Sequence, residues 1–307
     1  MSVDRRTVGA DLAAFMVLAT LLLGCGTTKV SPSGSTSSPA GFRDAVNLGS
    51  PMNSQDFDGG PSISADGLSL YFVTDRDVVG GGDIWVAVRQ STAEPFGPPA
   101  SLGAAINSSE DEGAPSISAD GLELFFDRAP AGRIYVATRP SITAAFGRPQ
   151  PVDLGRAGCC DGFPDVSADG RDLYFCSDRP GGLGGDDVWV ASRQAAGSPF
   201  RAPVNLGPTV NGAANDCEPN ISSDGNTLFL ASDRKGGSGG YDIWLSTRGS
   251  RSKPFGEPAN AGRAVNSGFS DERPDIAADG ATLYLMSDRR DGLGSFDLWR
   301  ASRGSAA

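Results

Sequence analysis

The sequence predicts an all-β protein, a closed β-propeller of five four-stranded antiparallel blades. Three observations predict this fold class. A pattern of about 50 residues occurs five times in succession, which is the signature of a repeat architecture. Each copy places an Asp-Gly pair between two short apolar segments, and that arrangement is a strong hairpin signal. Gly (42) and Pro (21) make up about a fifth of the 307 residues, a composition typical of turn-dense β proteins.

Residues 1–24 have the pattern of a secretory signal peptide. Two arginines near the start precede an apolar run at 12–23, and this run is shorter than the ~20 residues of a membrane span. The run ends in Leu-Leu-Gly-Cys at 22–25, which resembles the bacterial lipoprotein box. The resemblance implies that Cys25 is lipidated and becomes the first residue of the mature chain. An ordinary signal peptide followed by a chance cysteine is the alternative.

Residues 25–41 are expected to tether the folded part to the lipid anchor. The segment is rich in Ser, Thr, Gly and Pro, a composition typical of flexible linkers. About 16 such residues span roughly 20–25 Å from end to end. Gly26 follows the cysteine, whereas an Asp there retains many lipoproteins in the inner membrane. The resemblance therefore favours the outer membrane, with the protein facing the periplasm.

The first two strands of each repeat are predicted on either side of the Asp-Gly turn. The first strand contains a proline followed by an alternating segment such as Ser62-Ile63-Ser64, and the second is apolar and ends in Asp-Arg. The aligned prolines are Pro61, Pro115, Pro164, Pro219 and Pro274. The acids of the Asp-Arg pairs are Asp75, Asp127, Asp178, Asp233 and Asp288.

The third strand carries all four tryptophans of the chain at one aligned position, and a fourth segment follows it. Four short strands in about 50 residues correspond to a propeller blade. Residues 42–58 match a fourth segment, while the last repeat stops after a third strand near Arg303. We therefore expect the N-terminal strand to complete the last blade, with a propeller at 42–303 and a tail at 304–307. An open β-solenoid is the alternative.

The repeat string Pro-x-Ile-Ser-x-Asp-Gly-x-x-Leu-Tyr-Phe-x-Ser-Asp-Arg-x-Gly-Gly-x-Gly-Gly-x-Asp-Ile-Trp-Val-Ala resembles the WD-like propeller repeat of TolB-type periplasmic proteins. The likeness covers 42–303, nearly the whole mature chain. The Tol-system protein itself pairs a six-bladed propeller with an extra N-terminal domain, whereas this chain has five repeats and a lipoprotein start. The resemblance implies a periplasmic binding scaffold rather than a member of the Tol machinery.

An acid stands three residues before each aligned proline, on the face that carries the blade-entry loops. We call this the top face. The acids are Asp58, Glu112, Asp161, Asp216 and Asp271. They predict an acidic ring at the channel mouth that binds a basic segment of a partner. Alternatively, each acid accepts hydrogen bonds from backbone amides and shapes a blade entry, while the arginines of the Asp-Arg pairs contact acids of the neighbouring blade.

Two loops on the top face depart from the repeat. The loop after Asp127 is about three residues shorter than most counterparts, and Arg133 replaces their Asp. The entry to the third repeat is also three residues shorter. Both changes predict a notch between blades two and three, bordered by Arg128, Arg133 and Phe163. Simple drift of a tolerant loop is the alternative.

Four cysteines remain once Cys25 is set aside: Cys159, Cys160, Cys176 and Cys217. An even number in an oxidising compartment indicates disulfides. The preferred pairs are Cys160–Cys217 and Cys159–Cys176. A zinc site with four cysteine ligands is the alternative, although the spacing lacks two CxxC pairs.

Charge and composition exclude several classes of function. The net charge of −11 opposes nucleic-acid binding. The absence of histidine excludes metal sites built on imidazole. We expect a monomeric envelope protein with no cofactor and no resident metal, which is not an enzyme and binds a protein or peptide on its top face. A carbohydrate-binding lectin with one site per blade and a glycoside hydrolase are the alternatives, although near-equivalent acids lack the asymmetry that hydrolysis requires.

Overall fold

The computed structural model describes residues 41–76, 81–130, 132–155 and 160–303, and these residues form twenty β-strands without a helix. The strands make five separate four-stranded antiparallel sheets, as predicted. No helix among the described residues is long and apolar enough to cross a membrane. The predicted signal peptide, Cys25, the tether up to residue 40 and the tail at 304–307 lie outside the described residues.

Each blade takes its strands from one stretch of sequence, except the fifth. Blade one contains β2 (Asp58–Ile63), β3 (Ser69–Thr74), β4 (Asp83–Val88) and β5 (Ala100–Ser101). Blade two contains β6 (Asp111–Ile117), β7 (Glu123–Ala129), β8 (Arg133–Thr138) and β9 (Gln150–Pro151). Blade three contains β10 (Asp161–Val166), β11 (Asp172–Ser177), β12 (Asp187–Ser192) and β13 (Val204–Asn205). Blade four contains β14 (Asp216–Ile221), β15 (Thr227–Ser232), β16 (Asp242–Thr247) and β17 (Ala259–Asn260). Blade five contains β18 (Asp271–Ile276), β19 (Thr282–Ser287), β20 (Asp297–Ser302) and the N-terminal β1 (Val46–Asn47).

The N-terminal strand closes the ring, as the phase of the repeat predicts. Strand β1 pairs antiparallel with β20, with Val46 opposite Arg300. A further bridge joins Phe42 to Arg303. Blade five is therefore built from both ends of the propeller, and this closure leaves no blade with an unpaired third strand.

Hydrophobic side chains of adjacent blades pack into shared clusters. Tyr284 of blade five packs with Ile63, Leu70 and Phe72 of blade one, and Leu70 and Phe72 are fully buried. Burial of one such side chain stabilises the fold by about 1.5–3 kcal/mol. The alternation of apolar residues along the inner strands thus holds the blades against one another.

A ring of hydrogen bonds also links the five inner strands around the channel. The residue after each aligned proline accepts a bond from a backbone N–H of the next blade. The bonds run from Ile117 to Ser62 (3.1 Å), Val166 to Ser116 (3.1 Å), Ile221 to Asp165 (2.7 Å), Ile276 to Asn220 (2.9 Å) and Ile63 to Asp275 (2.6 Å). We call these five acceptors the channel belt.

The disulfide pairing differs from the prediction. Cys176 of β11 bonds to Cys217 of β14, with a Cα–Cα distance of 5.0 Å, and joins blades three and four. Cys160 is an exposed free thiol beside the end of β11, and Cys159 lies outside the described residues. The predicted pairs were wrong because Cys176 faces the next blade rather than its own entry loop. The bond also removes two ligands from the zinc alternative.

Candidate functional site

The five predicted acids of the top face are engaged in ion pairs within their own blades. Asp58, Glu112, Asp216 and Asp271 have fully buried side chains, and that of Asp161 is 18% exposed. The pairs are Arg76–Asp58, Arg128–Glu112, Arg179–Asp161, Arg234–Asp216 and Arg289–Asp271. The arginines therefore contact an acid of the same blade, and not of the neighbouring blade as expected.

These carboxylates also hold the loops before the inner strands. Asp58 accepts bonds from the backbone N–H (2.6 Å) and the hydroxyl (2.7 Å) of Ser54. Glu112 does the same for Ser108, and Asp216 accepts from Gly212 N at 2.5 Å. The expectation of a partner-binding acidic ring is corrected accordingly: these acids shape the blade entries and present no free row of carboxylates.

In the second repeat the Asp-Arg pair does not occupy the position that it has in the other four repeats. The segment between the aligned proline and this pair is two residues shorter than in the others. Asp127 and Arg128 lie inside β7, where Gly113 and Glu112 of β6 oppose them. Arg128 pairs with Glu112 at 2.8 Å and stacks on Tyr135 at 4.7 Å. It is therefore part of the blade and does not border an open notch. Arg133 is exposed at the start of β8.

The residue before each aligned proline lines the channel in an unusual backbone conformation. All five have positive φ, between 44° and 60°, and each coincides with a break in the pairing of the inner hairpin. The five residues are Gly60, Ala114, Phe163, Glu218 and Arg273. A left-handed backbone costs a residue with a side chain about 1–2 kcal/mol. Four blades accept this cost, and their four side chains differ completely in chemistry.

Three of these side chains meet at the channel mouth. The guanidinium of Arg273 lies 4.1 Å above the ring of Phe163, and its Nε is 3.2 Å from Oε1 of Glu218. The backbone N–H of Arg273 donates to Oε2 of Glu218 at 2.8 Å. Residues from blades three, four and five thus form one contact cluster. With Asp127 and Glu272 they are called the mouth cluster.

Asp127 enters the mouth cluster from blade two. Its Oδ2 accepts the backbone N–H of Phe163 at 2.7 Å. Two glycines leave room for it, since a Cβ on Gly162 would lie 3.0 Å from Oδ2 and one on Gly113 would collide with Oδ1. The sequence did contain a signal for this site, because Asp127 is the one charged residue at its register position. Each residue at this position pairs with the first apolar residue of the third strand, and the counterparts of Asp127 in the other blades are Val73, Cys176, Ala231 and Met286.

Burial raises the pKa of each carboxyl group in the mouth cluster. Burial and then Glu218 raise the pKa of Glu272 to about 8. Burial raises the pKa of Glu218 and outweighs the opposing effect of Arg273. Burial likewise raises the pKa of Asp127 against Arg273 and the Phe163 N–H. Three carboxyl groups therefore share one guanidinium, that of Arg273.

The channel below the mouth is narrow. The cavity between Phe163, Glu218, Arg273 and the channel belt measures about 30 Å³, which is room for about one or two water molecules. Asp165 and Asp275 lie at its base, and both accept bonds from the amide of Asn220, at 3.2 and 2.8 Å. A ligand much larger than water therefore does not fit inside this cavity.

Comparisons with known proteins show the fold. No family model matches the chain, and no curated protein matches it. A TolB structure from Acinetobacter baumannii aligns with a TM-score of 0.50 at 16% identity, over 81% of this chain and 55% of that one. The chain shares the TolB-type propeller fold. It spans about half the length of that TolB protein.

Glycoside hydrolases share the fold as well. A family 62 α-L-arabinofuranosidase domain from Coprinopsis cinerea aligns with a TM-score of 0.56 at 14% identity, over 86% of this chain and 98% of that one. A second arabinofuranosidase, from Podospora anserina, gives 0.55 at 12% identity, over 88% and 99%.

The expectation that the protein is not an enzyme is contradicted by these hydrolases, which match the fold at least as well as TolB does. Its premise also fails in the structure. The expectation assumed a ring of near-equivalent acids, but Asp127, Glu218 and Glu272 occupy different positions in three blades. Acids in different environments are what hydrolysis of a glycosidic bond requires.

Proposed function

We propose that the protein is a binding scaffold whose mouth cluster takes a cationic segment of a protein or peptide partner. The observation that carries the proposal is the charge of the cluster. Glu218, Glu272 and Asp127 surround a single cation, Arg273. A second cation supplied by a partner would stabilise the ionised carboxylates, because an opposite charge within ~4–6 Å favours the charged form.

The position of the mouth cluster above a narrow channel favours a partner group that protrudes from the partner's surface. Glu272 is half-buried, and a lysine side chain or an N-terminal amine is small enough to reach it from above the narrow channel. Tyr241 lies beside Glu218 and Glu272, and burial together with Asp233 and these two acids raises the pKa of its hydroxyl. The cluster occurs once on the propeller, since the matching positions in blades one and two are Gly60 and Ala114. One site for one partner fits an adaptor better than a lectin with a site in every blade.

We further propose that the partner belongs to the bacterial envelope. The support is the lipoprotein-like segment at 22–25, which would anchor the chain at Cys25 in the outer membrane facing the periplasm. Cys25→Ser should move the protein from the membrane fraction to the soluble periplasmic fraction. Retention of this variant in membranes would contradict the lipid anchor.

Glycoside hydrolysis at the same carboxyl groups is the second candidate function. A carboxyl group with the pKa of Glu272, about 8, keeps its proton at neutral pH and is suited to act as a general acid. Glu218 is paired with Arg273, an arrangement that favours its ionised form over that of Glu272, and a carboxylate so paired is suited to act as base or nucleophile. The shared fold of the arabinofuranosidases favours this candidate.

In-cell photocrosslinking separates the two candidates. A benzophenone amino acid replaces Tyr241 beside the mouth cluster, and a control probe replaces the exposed Glu257 on the opposite face. We expect a discrete protein adduct from position 241 alone. Glu218→Gln and Glu272→Gln should each weaken capture of that partner at least tenfold, whereas the matched Glu257→Gln should not.

The same probes and variants also show whether the proposal is wrong. Equal adducts from both probe positions, or full capture by both Gln variants, would remove the mouth cluster from partner binding. Release of arabinose or xylose from plant polysaccharides by the wild type, abolished by Glu272→Gln, would establish the hydrolase instead.

A further inference from the structure

A cavity lies at the seam where the N-terminal strand closes blade five against blade one. It measures about 280 Å³, compared with about 30 Å³ for the central channel. Its walls are residues from 46–52, residues from 89–96 of blade one, and Arg300 of β20. We call it the seam cavity. A cavity of ~150 Å³ admits benzene, so the seam cavity has room for a small organic molecule.

Arg300 breaks the repeat at this cavity. The strand pairing places it opposite Tyr284, and the residues at the same register in the other blades are Val86, Val136, Val190 and Leu245. Four blades thus have an aliphatic residue where the fifth has an exposed arginine. The blade architecture does not require a charge at this position.

Glu94 adds the opposite charge to the same cavity. It is exposed, and the equivalent residues before the Phe of the other loops are Ala144, Ser198 and Lys253. Among the described residues, neither Glu94 nor Arg300 has a side-chain ion pair or hydrogen bond. Each charged group is therefore available to a ligand.

Arg89 has a structural role in the wall and is not counted as a free cation. Its guanidinium stacks on Phe96 at 4.4 Å, and its Nε donates to the carbonyl of Gly67 at 2.8 Å. Equivalent Arg–Phe contacts occur in all five blades. The apolar part of the wall includes Val46, which is 57% exposed, and Pro51 and Pro95.

We propose that the seam cavity binds a small zwitterion with an apolar body, of which a free α-amino acid with an aromatic side chain is the simplest. Arg300 would pair with the carboxylate and Glu94 with the ammonium group, while the apolar body contacts Val46, Pro51 and Pro95. Both charged ends of the ligand and both charged residues of the cavity are then neutralised. The proposal involves no residue of the mouth cluster.

Calorimetric titration of the purified full-length protein tests the ligand class. L-phenylalanine is compared with 3-phenylpropanoate, which lacks the ammonium group, and with 2-phenylethylamine, which lacks the carboxylate. We expect L-phenylalanine to bind at least tenfold more tightly than either analogue. Equal binding of an analogue, or no measurable binding of L-phenylalanine at millimolar concentration, would overturn the proposal.

Two substitutions test the site with residues that the repeat itself already uses. Arg300→Val installs the residue of blades one to three, and Glu94→Ala installs that of blade two. Each should raise the dissociation constant for L-phenylalanine at least tenfold. Arg148→Val, at an exposed arginine of blade two away from the cavity, should leave it unchanged. Unchanged affinity in both cavity variants, with normal thermal unfolding, would exclude the seam cavity as the site.

Discussion

A single residue, Asp127, converts one blade interface into part of a polar site. Its counterparts in the other blades are apolar or disulfide-bonded strand residues such as Val73 and Cys176. The carboxylate fits because Gly113 and Gly162 flank it, and it is fixed by the N–H of Phe163. The left-handed backbone of Phe163 then aims the aromatic ring at Arg273. One polar residue and two glycines thus determine the position of an aromatic ring in the next blade.

Gly113→Ala should destabilise the propeller by about 1–3 kcal/mol, because the added methyl group overlaps the fixed carboxylate of Asp127. Urea denaturation measures the change. The loss should shrink when Asp127→Ala is present, since the overlapping atoms are then removed. Gly249→Ala is the matched control, because no atom lies within 4 Å of a Cβ there. An equal loss in both backgrounds would contradict the assignment.

The inner strands are joined by the channel belt, and two of its five acceptors are carboxyl groups. Burial and then Asp275 raise the pKa of Asp165 to about 8, and burial raises that of Asp275 to about 7. Each still accepts a backbone N–H from the next blade. In the unfolded chain both would titrate near 3.8. At these two sites the folded propeller therefore binds more protons than the unfolded chain between about pH 4 and 8.

That difference predicts a stability that falls as the pH rises through this window. The excess stability of the wild type over Asp165→Asn should fall by at least about 1 kcal/mol between pH 5 and pH 8. Urea denaturation at both pH values measures it. Asp169→Asn is the control, because the pKa of Asp169 is shifted in the opposite direction. The ion pair with Arg251 lowers that pKa to about 2. The effect of Asp169→Asn should be constant over this range. Parallel curves for Asp165→Asn and the wild type would refute the role of the belt.

The strands were predictable from sequence, whereas the mouth cluster was not, and the reason is physical. Strand position follows from local signals, such as the alternation around Ser62 and the Asp-Gly turn after it, and these recur five times. The cluster depends on register. A bulge before each proline and a two-residue shortening at Asp127 decide which side chains reach the channel. Phe163 of blade three was expected at the border of a notch, but its ring lies against Arg273 of blade five, and no local pattern relates these two blades.

At the scale of the whole molecule, the propeller is held together where its two ends meet. Four blades contain an Arg–Phe contact within one continuous stretch of chain, as between Arg139 and Phe146 at 4.4 Å. In blade five the same contact joins Arg303, directly after the last strand, to Phe42, before the first, at 4.8 Å. Phe42 is also 5% exposed and packs edge-on against Phe229 of blade four. The closing segment therefore repeats the internal packing of the other blades.

Phe42→Ala should consequently destabilise the propeller as much as Phe146→Ala, by about 3–5 kcal/mol each, since both remove a buried aromatic ring stacked on an arginine. Urea denaturation of the two variants side by side measures this. If the N-terminal strand were only loosely attached, Phe42→Ala would have little effect while Phe146→Ala kept its full effect. Equal losses would show that the closing segment is packed as firmly as the corresponding loop of blade two.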